Sequence, residues 1–127
     1  MGEHGSPYLR FDRALATGDP TLVTAAALDL GRLSLADALA VCLVFRDHDH
    51  DHDHYERAAV RWLSRFCQET SGVAVRDAPL ALAALTALTG PARHGAAGVL
   101  AELAEAYDRD DVAQVLDKWL EGSPCDS

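Results

Sequence analysis

Tyr55-Glu-Arg-Ala-Ala-Val-Arg-Trp-Leu-Ser-Arg-Phe-Cys67 decides the fold. Its apolar members Tyr55, Ala58, Ala59, Trp62, Leu63, Phe66 and Cys67 recur in steps of three and four. That spacing places them on one stripe of an α-helix, with Arg57, Arg61 and Arg65 at i, i+4 and i+8 on the opposite side. Asp53 with Glu56 three residues on supplies an Asp-x-x-Glu start signal, and Ser71-Gly72 supplies a stop.

The same punctuation recurs on both sides. Ser6-Pro7 reads as a helix cap and first residue, and Gly18 as the stop of a first helix. Asp19-Pro20 opens a second helix that ends at Leu30-Gly31. Ser34 with Asp37 opens a third, running to about Phe45. Beyond Gly72, a fifth helix begins near Asp77 and Pro79 and ends at Thr89-Gly90-Pro91, which starts a sixth. A seventh runs from about Asp110 to Gly122. The segment Leu80 to Leu88 is apolar nearly all round, so the fifth helix is expected to be the most buried. In the sixth, Ala96, Val99, Leu100, Leu103, Ala104 and Tyr107 form the expected buried stripe. Gly95 and Gly98 interrupt it and predict close backbone packing or a delayed start.

Composition agrees with a helical reading. The chain has 127 residues, of which 23 are Ala, 18 Leu and nine Val, with no Ile and eight aromatics. Helix formers dominate and strand formers are scarce, which excludes a β-sandwich, a β-barrel and a disordered chain. The expected fold is all-α: one domain of about seven short helices packed as helical hairpins. Residues 1–6 and 123–127 are expected to be flexible, residues 7–122 helical, with a His/Asp-rich loop at 46–53. At an offset of 58, Ala25, Ala26, Leu30, Ala38, Val41, Cys42 and Phe45 meet Ala83, Ala84, Leu88, Ala96, Val99, Leu100 and Leu103; at 57, Arg61-Trp62-Leu63 meets Lys118-Trp119-Leu120. Helices two to four therefore read as a possible duplicate of five to seven, against the alternative that Ala/Leu-rich helices align by chance.

The stretches Ala14-Leu-Ala-Thr-Gly-Asp19, Leu35-Ala-Asp-Ala-Leu39 and Tyr55 to Phe66 resemble small uncharacterised helical proteins of high-GC bacteria, over roughly residues 8–90. The resemblance implies no activity and no functional residues. One Lys against ten Arg, with no Ile or Asn, fits such a genome.

Eleven basic against 20 acidic residues give a formal charge of −9, which disfavours nucleic acid as a partner. A third and weaker function class is an acidic mimic of nucleic acid, which needs the charge gathered on one face. The N-terminus has no apolar stretch of a signal peptide and no apolar run reaches a membrane span, so a cytoplasmic protein without membrane contact is expected. Of three Cys, Cys42 and Cys67 fall on apolar stripes and Cys125 near the end, a pattern of two buried structural thiols and one exposed thiol in a reducing compartment.

The run Asp47-His48-Asp49-His50-Asp51-His52-Asp53-His54 is the main candidate for chemistry. In an extended segment its alternation puts the four His on one side and the four Asp on the other. In a helix, His50 and His54 share a face. Imidazole with carboxylate suits Zn²⁺, Ni²⁺, Cu²⁺ or Co²⁺. The same run can act as a pH sensor, up to four protons moving the charge from −9 toward about −5, or it is a solvated loop with no ligand. Arg57, Arg61 and Arg65 are a candidate surface for an acidic partner or phosphate, against the plainer reading of a solvated face with local pairs among Arg61, Arg65 and Glu69. No Gly-rich phosphate loop, Gly-x-Ser-x-Gly or His-Glu-x-x-His occurs, and Asp47–Asp53 lacks the Gly of an EF-hand loop. Trp62 and Trp119 read as core, and His94 as an exposed residue near a helix start. The function expected is a non-enzymatic helical protein-interaction module of unknown partner and oligomeric state; the alternative is a transition-metal-binding or metal- and pH-sensing protein using residues 47–54.

Overall fold

The computed structural model of the chain describes residues 6–48 and 53–122. These fold as seven helices: α1 (Pro7–Thr17), α2 (Pro20–Leu30), α3 (Leu35–His48), α4 (Asp53–Glu69), α5 (Asp77–Ala87), α6 (Arg93–Ala106) and α7 (Asp110–Gly122). No strand occurs among the described residues. The all-α single domain expected from the sequence is what forms.

The caps explain the boundaries. The Ser6 hydroxyl accepts from the Leu9 amide at 3.2 Å, the Asp19 carboxylate from the Thr21 amide at 2.9 Å, and the Ser34 hydroxyl from the Asp37 amide at 3.1 Å. Each satisfies an amide with no partner inside its helix. Gly18 closes α1 at φ +70°, a left-handed conformation that costs glycine nothing. Asp108 takes the same role after α6 at φ +63°, and the Arg109 amide reaches back to the Ala104 carbonyl at 2.8 Å.

α3 is the pivot. Its Leu35, Ala36, Leu39, Cys42 and Leu43 join the main core with Tyr55, Trp62 and Phe66 of α4 and the buried faces of α5, α6 and α7. Its Val41 and Val44 face a smaller core built on Phe11, Ala14 and Val23 of the α1–α2 hairpin. Trp62 and Phe66 stack with centroids 5.5 Å apart, and Tyr107 meets Phe66 edge-on at 6.0 Å.

Buried side chains also tie loops down. The Trp62 indole donates to the Leu35 carbonyl at 2.8 Å, and Arg65 to the Leu33 carbonyl at 2.9 Å, so α4 fixes the α2–α3 turn. The Tyr55 hydroxyl donates to the Leu85 carbonyl at 2.6 Å. Arg109 donates to the Glu69 carbonyl and the buried Thr70 hydroxyl, fixing the turn after α4. Tyr107 accepts from the Ala74 amide and donates to Asp77, which anchors the start of α5.

Three expectations are corrected. α5 is not the most buried helix: Leu80 and Leu82 are exposed, because only its Ala81–Ala84–Leu85–Leu88 side meets neighbours. α6, packed between α5 and α7, buries six residues, including Ala97 and Ala101 outside the expected stripe, while Val99 is 40% exposed. Gly95 and Gly98 do not mark close packing either; a Cβ on each would meet open space. The helix does start two residues after Pro91.

Candidate functional site

The Asp/His run is divided between two helices. α3 continues past Phe45, so Asp47 and His48 lie in its last turn, and α4 begins at Asp53. The loop expected over 46–53 is therefore helical at 46–48 and at 53. Asp49, His50, Asp51 and His52 lie outside the described residues. Helix at both ends removes the extended alternation there, so period two does not order the outer four residues.

Those four have other partners. The Asp47 carboxylate accepts from the Trp119 indole at 3.1 Å and from Arg46 at 3.2 Å. His48 sets Nδ1 3.2 Å from the Val44 carbonyl one turn back. Asp53 pairs with Arg57 at 2.8 Å, and the His54 ring lies with its centroid 6.3 Å from that of Phe45. Among the described residues no group of three or more His, Cys, Asp or Glu side chains gathers to hold a metal ion.

Two of the three arginines of the stripe are likewise committed to their own chain. Arg57 holds Asp53, and Arg65 holds Glu69 at 2.8 Å while bonding Leu33. Arg61 is exposed between them. The expected local pair Arg65–Glu69 forms, and Arg32 approaches the same carboxylate at 3.5 Å. The Arg65 hydrogen bond, with the charges of Arg65, Arg32 and Arg109, holds the Glu69 carboxyl below the usual range, against a smaller opposing effect of burial.

A different place gathers functional groups. Between α1, α3 and α7 runs a groove of about 510 Å³. Leu15 and Ala16 of α1, Ala40, Leu43 and Val44 of α3, and Val115 and Trp119 of α7 give it an apolar floor. Asp12, Asp37 and Asp47 stand along it as carboxylates, with His48 and Lys118. Its size lies within the range of ligand and side-chain binding clefts. Asp37, Ala40, Val44 and Asp47 fall at i, i+3, i+7 and i+10 of α3, one face of one helix.

One wall of the groove is held by a half-buried clamp. Arg46 donates through Nε to the Leu88 carbonyl at 2.7 Å, past the end of α5, and its guanidinium lies 5.5 Å from the Trp119 ring centroid. The cation thus satisfies a carbonyl at a helix C-terminus, where the dipole favours it. Its stacking and the Asp47 acceptor fix the indole edge. Trp119 is only partly buried, so the core role expected for it is incomplete; Trp62 is core as expected. Asp12, Asp37, Lys118 and the exposed side of Trp119 were not signalled by any motif. The one local cue is the α3 face itself, where small Ala40 lies between two carboxylates.

Two other concavities are poorer. The cleft of Tyr55, Ala59, Val60, Leu82, Leu85 and Thr86 between α4 and α5 holds about 180 Å³, below the size of a typical site. The hollow of Glu69–Ser71 and Ala106–Arg109 is polar, and its Glu69, Thr70 and Arg109 already bond one another's elements. Burial pushes the Cys42 thiol up to about 12, which removes it as a nucleophile at neutral pH.

The fold and groove define an all-helical scaffold with a half-apolar, carboxylate-edged cleft. In comparisons with protein-family models, curated proteins and solved structures, nothing matches the chain. No helix among the described residues is long and apolar enough to cross a membrane.

Proposed function

We propose that this chain is a non-enzymatic protein-interaction module whose docking surface is the α1–α3–α7 groove. The observation that carries the reading is the groove's construction: an apolar floor open to solvent, with carboxylates on two helices and a clamped Trp119 on a third. Apolar floor with polar edges is the anatomy of a protein-binding surface, and aromatic residues held in place are frequent anchors there. The absence of the common catalytic motifs from the sequence supports a binding role over chemistry. The arginine stripe supports it less, because two of its three members serve helix α4 itself. Metal binding by residues 47–54 also has less support, since Asp47 and Asp53 already accept from cations.

The test is photo-crosslinking in the native cell. A photoreactive residue at Ala16 or Ala40 is expected to give a discrete adduct with another protein, and one at exposed Glu102 on α6 is not. Adducts of equal yield from all three positions, or none from the groove positions, would refute the assignment.

A further inference from the structure

The geometry points to a basic amphipathic helix as the partner of the α1–α3–α7 groove; this inference rests on the docking reading above. α3 contributes Asp37 and Asp47 ten residues apart, so their backbones are about 15 Å apart along one helix face. Ala40 and Val44 lie between them and supply apolar surface. Asp12 adds a third carboxylate from α1 across the groove. Asp47 is already held by Arg46 and Trp119, so Asp12 and Asp37 are the carboxylates left to a partner, and the groove matches an amphipathic helix of about three turns whose apolar side is flanked on one edge by Lys or Arg. Unlike charge along the edges selects that partner and repels an acidic one. Lys118 on the α7 edge sets the orientation, because the partner's cations are driven toward α1 and α3. A second copy of this chain is the weaker occupant. Its own basic helix face on α4 has Arg57 paired with Asp53, and Arg65 with Glu69.

The probe is a blocked, fluorescently labelled helical peptide of about fourteen residues. It is built from Ala, Leu and Gln, with Lys at two positions one turn apart on one edge of its apolar side, and is compared with its twin carrying Glu at both. Binding to the full chain is followed by anisotropy. The Lys peptide is expected to saturate one site, and the Glu twin to bind at least about tenfold more weakly. The double variant Asp12→Asn/Asp37→Asn is expected to weaken the Lys peptide by about threefold to tenfold, as two exposed ion pairs would. Asp47 is left intact because it also holds Trp119 and Arg46. Ala40→Arg blocks the floor and should abolish binding, with helical circular dichroism unchanged.

Equal binding of both peptides, lost in Ala40→Arg, overturns the basic partner and leaves the groove as a docking surface. Binding that survives Ala40→Arg places the peptide elsewhere and overturns the inference. Concentration-dependent self-association lost in Ala40→Arg makes a second copy the occupant and overturns it too. Failure of the Lys peptide to bind overturns the partner class, while crosslinking from Ala16 and Ala40 decides the docking reading separately.

Discussion

Replacing Arg46 with Ala is expected to be the most damaging single change at an outwardly charged residue. The Arg46 side chain is only 15% exposed, and three contacts depend on it. Its Nε–H bond to the Leu88 carbonyl, 2.7 Å long, joins a cation to a neutral acceptor. Such bonds contribute about 1.5 to 3 kcal/mol, and Ala leaves the carbonyl without that donor. The stacking on Trp119 adds about 0.5 to 1 kcal/mol. The pair with Asp47, whose carboxylate is 40% exposed, adds under about 1 kcal/mol. The three overlap, so the expected loss is about 3 kcal/mol, a large part of the stability of a domain this size. Urea unfolding followed by far-ultraviolet circular dichroism measures it, with the slope against denaturant unchanged. Arg61→Ala, on the solvated face of α4, is the control and should stay within about 0.5 kcal/mol of the parent. A loss below about 1 kcal/mol for Arg46→Ala would mean that the guanidinium is solvated and that α3, α5 and α7 do not meet through it.

Gly98→Ala should stabilise the protein by about 0.5 to 1 kcal/mol, because the new methyl meets open space in the middle of α6; thermal unfolding would show a rise of about 3 °C. Glu69 is more acidic folded than unfolded, so its contribution is present above the ordinary carboxylate pKa and lost as pH falls through the lowered one; the stability difference between the parent and Glu69→Gln should be full at pH 7 and shrink below about pH 4 in thermal melts at several pH values. Cys42 should resist alkylation in the native protein near pH 8, whereas half-buried Cys67 reacts before it, as peptide mapping by mass spectrometry after timed labelling would show. Calorimetric titration with Zn²⁺ and Ni²⁺ should give only weak, multi-site binding, since Asp47 and Asp53 are engaged by Arg46, Trp119 and Arg57; a stoichiometric site tighter than about micromolar, lost when His48, His50, His52 and His54 become Ala, would show that the run is a metal site after all.

The helices were legible because their limits are set locally. Ser6, Asp19 and Ser34 cap their helices through bonds spanning two or three residues, and Gly18 needs only its own φ. Such signals survive in one dimension. The stripe on α4 was equally local: Tyr55, Ala59, Trp62 and Phe66 are all buried. Burial is hard to read on helices whose polar face is narrow or missing. α5 and α6 are apolar or small on most sides, so periodicity does not say which side a neighbour covers. Leu80 and Leu82 look as buried in the sequence as Leu85, and only packing separates them. The α3 boundary was misjudged for a related reason. Arg46 and Asp47 look like the start of a polar loop, yet their contacts to Leu88 and Trp119, both distant in sequence, keep the last turn of α3 in place.

The site was hidden by the same non-locality. The sequence draws attention to eight alternating Asp and His residues, but an alternating composition is a statement about neighbours in the chain. The groove depends on residues as far apart as Asp12 and Trp119, brought together because α3 lies between α1 and α7. Asp47 belongs to both descriptions, and its partners decide between them. As a member of the run it is one of four equivalent carboxylates; in the fold it accepts from an indole and a guanidinium on the groove wall. A carboxylate used in that way orients an aromatic anchor at the cost of being less free to ligate a metal. If the groove is the working surface, Asp47→Ala should loosen Trp119 and weaken peptide docking more than Asp53→Ala at the other end of the run, even though both delete one Asp from the same repeat. Equal effects would return the function to the run itself.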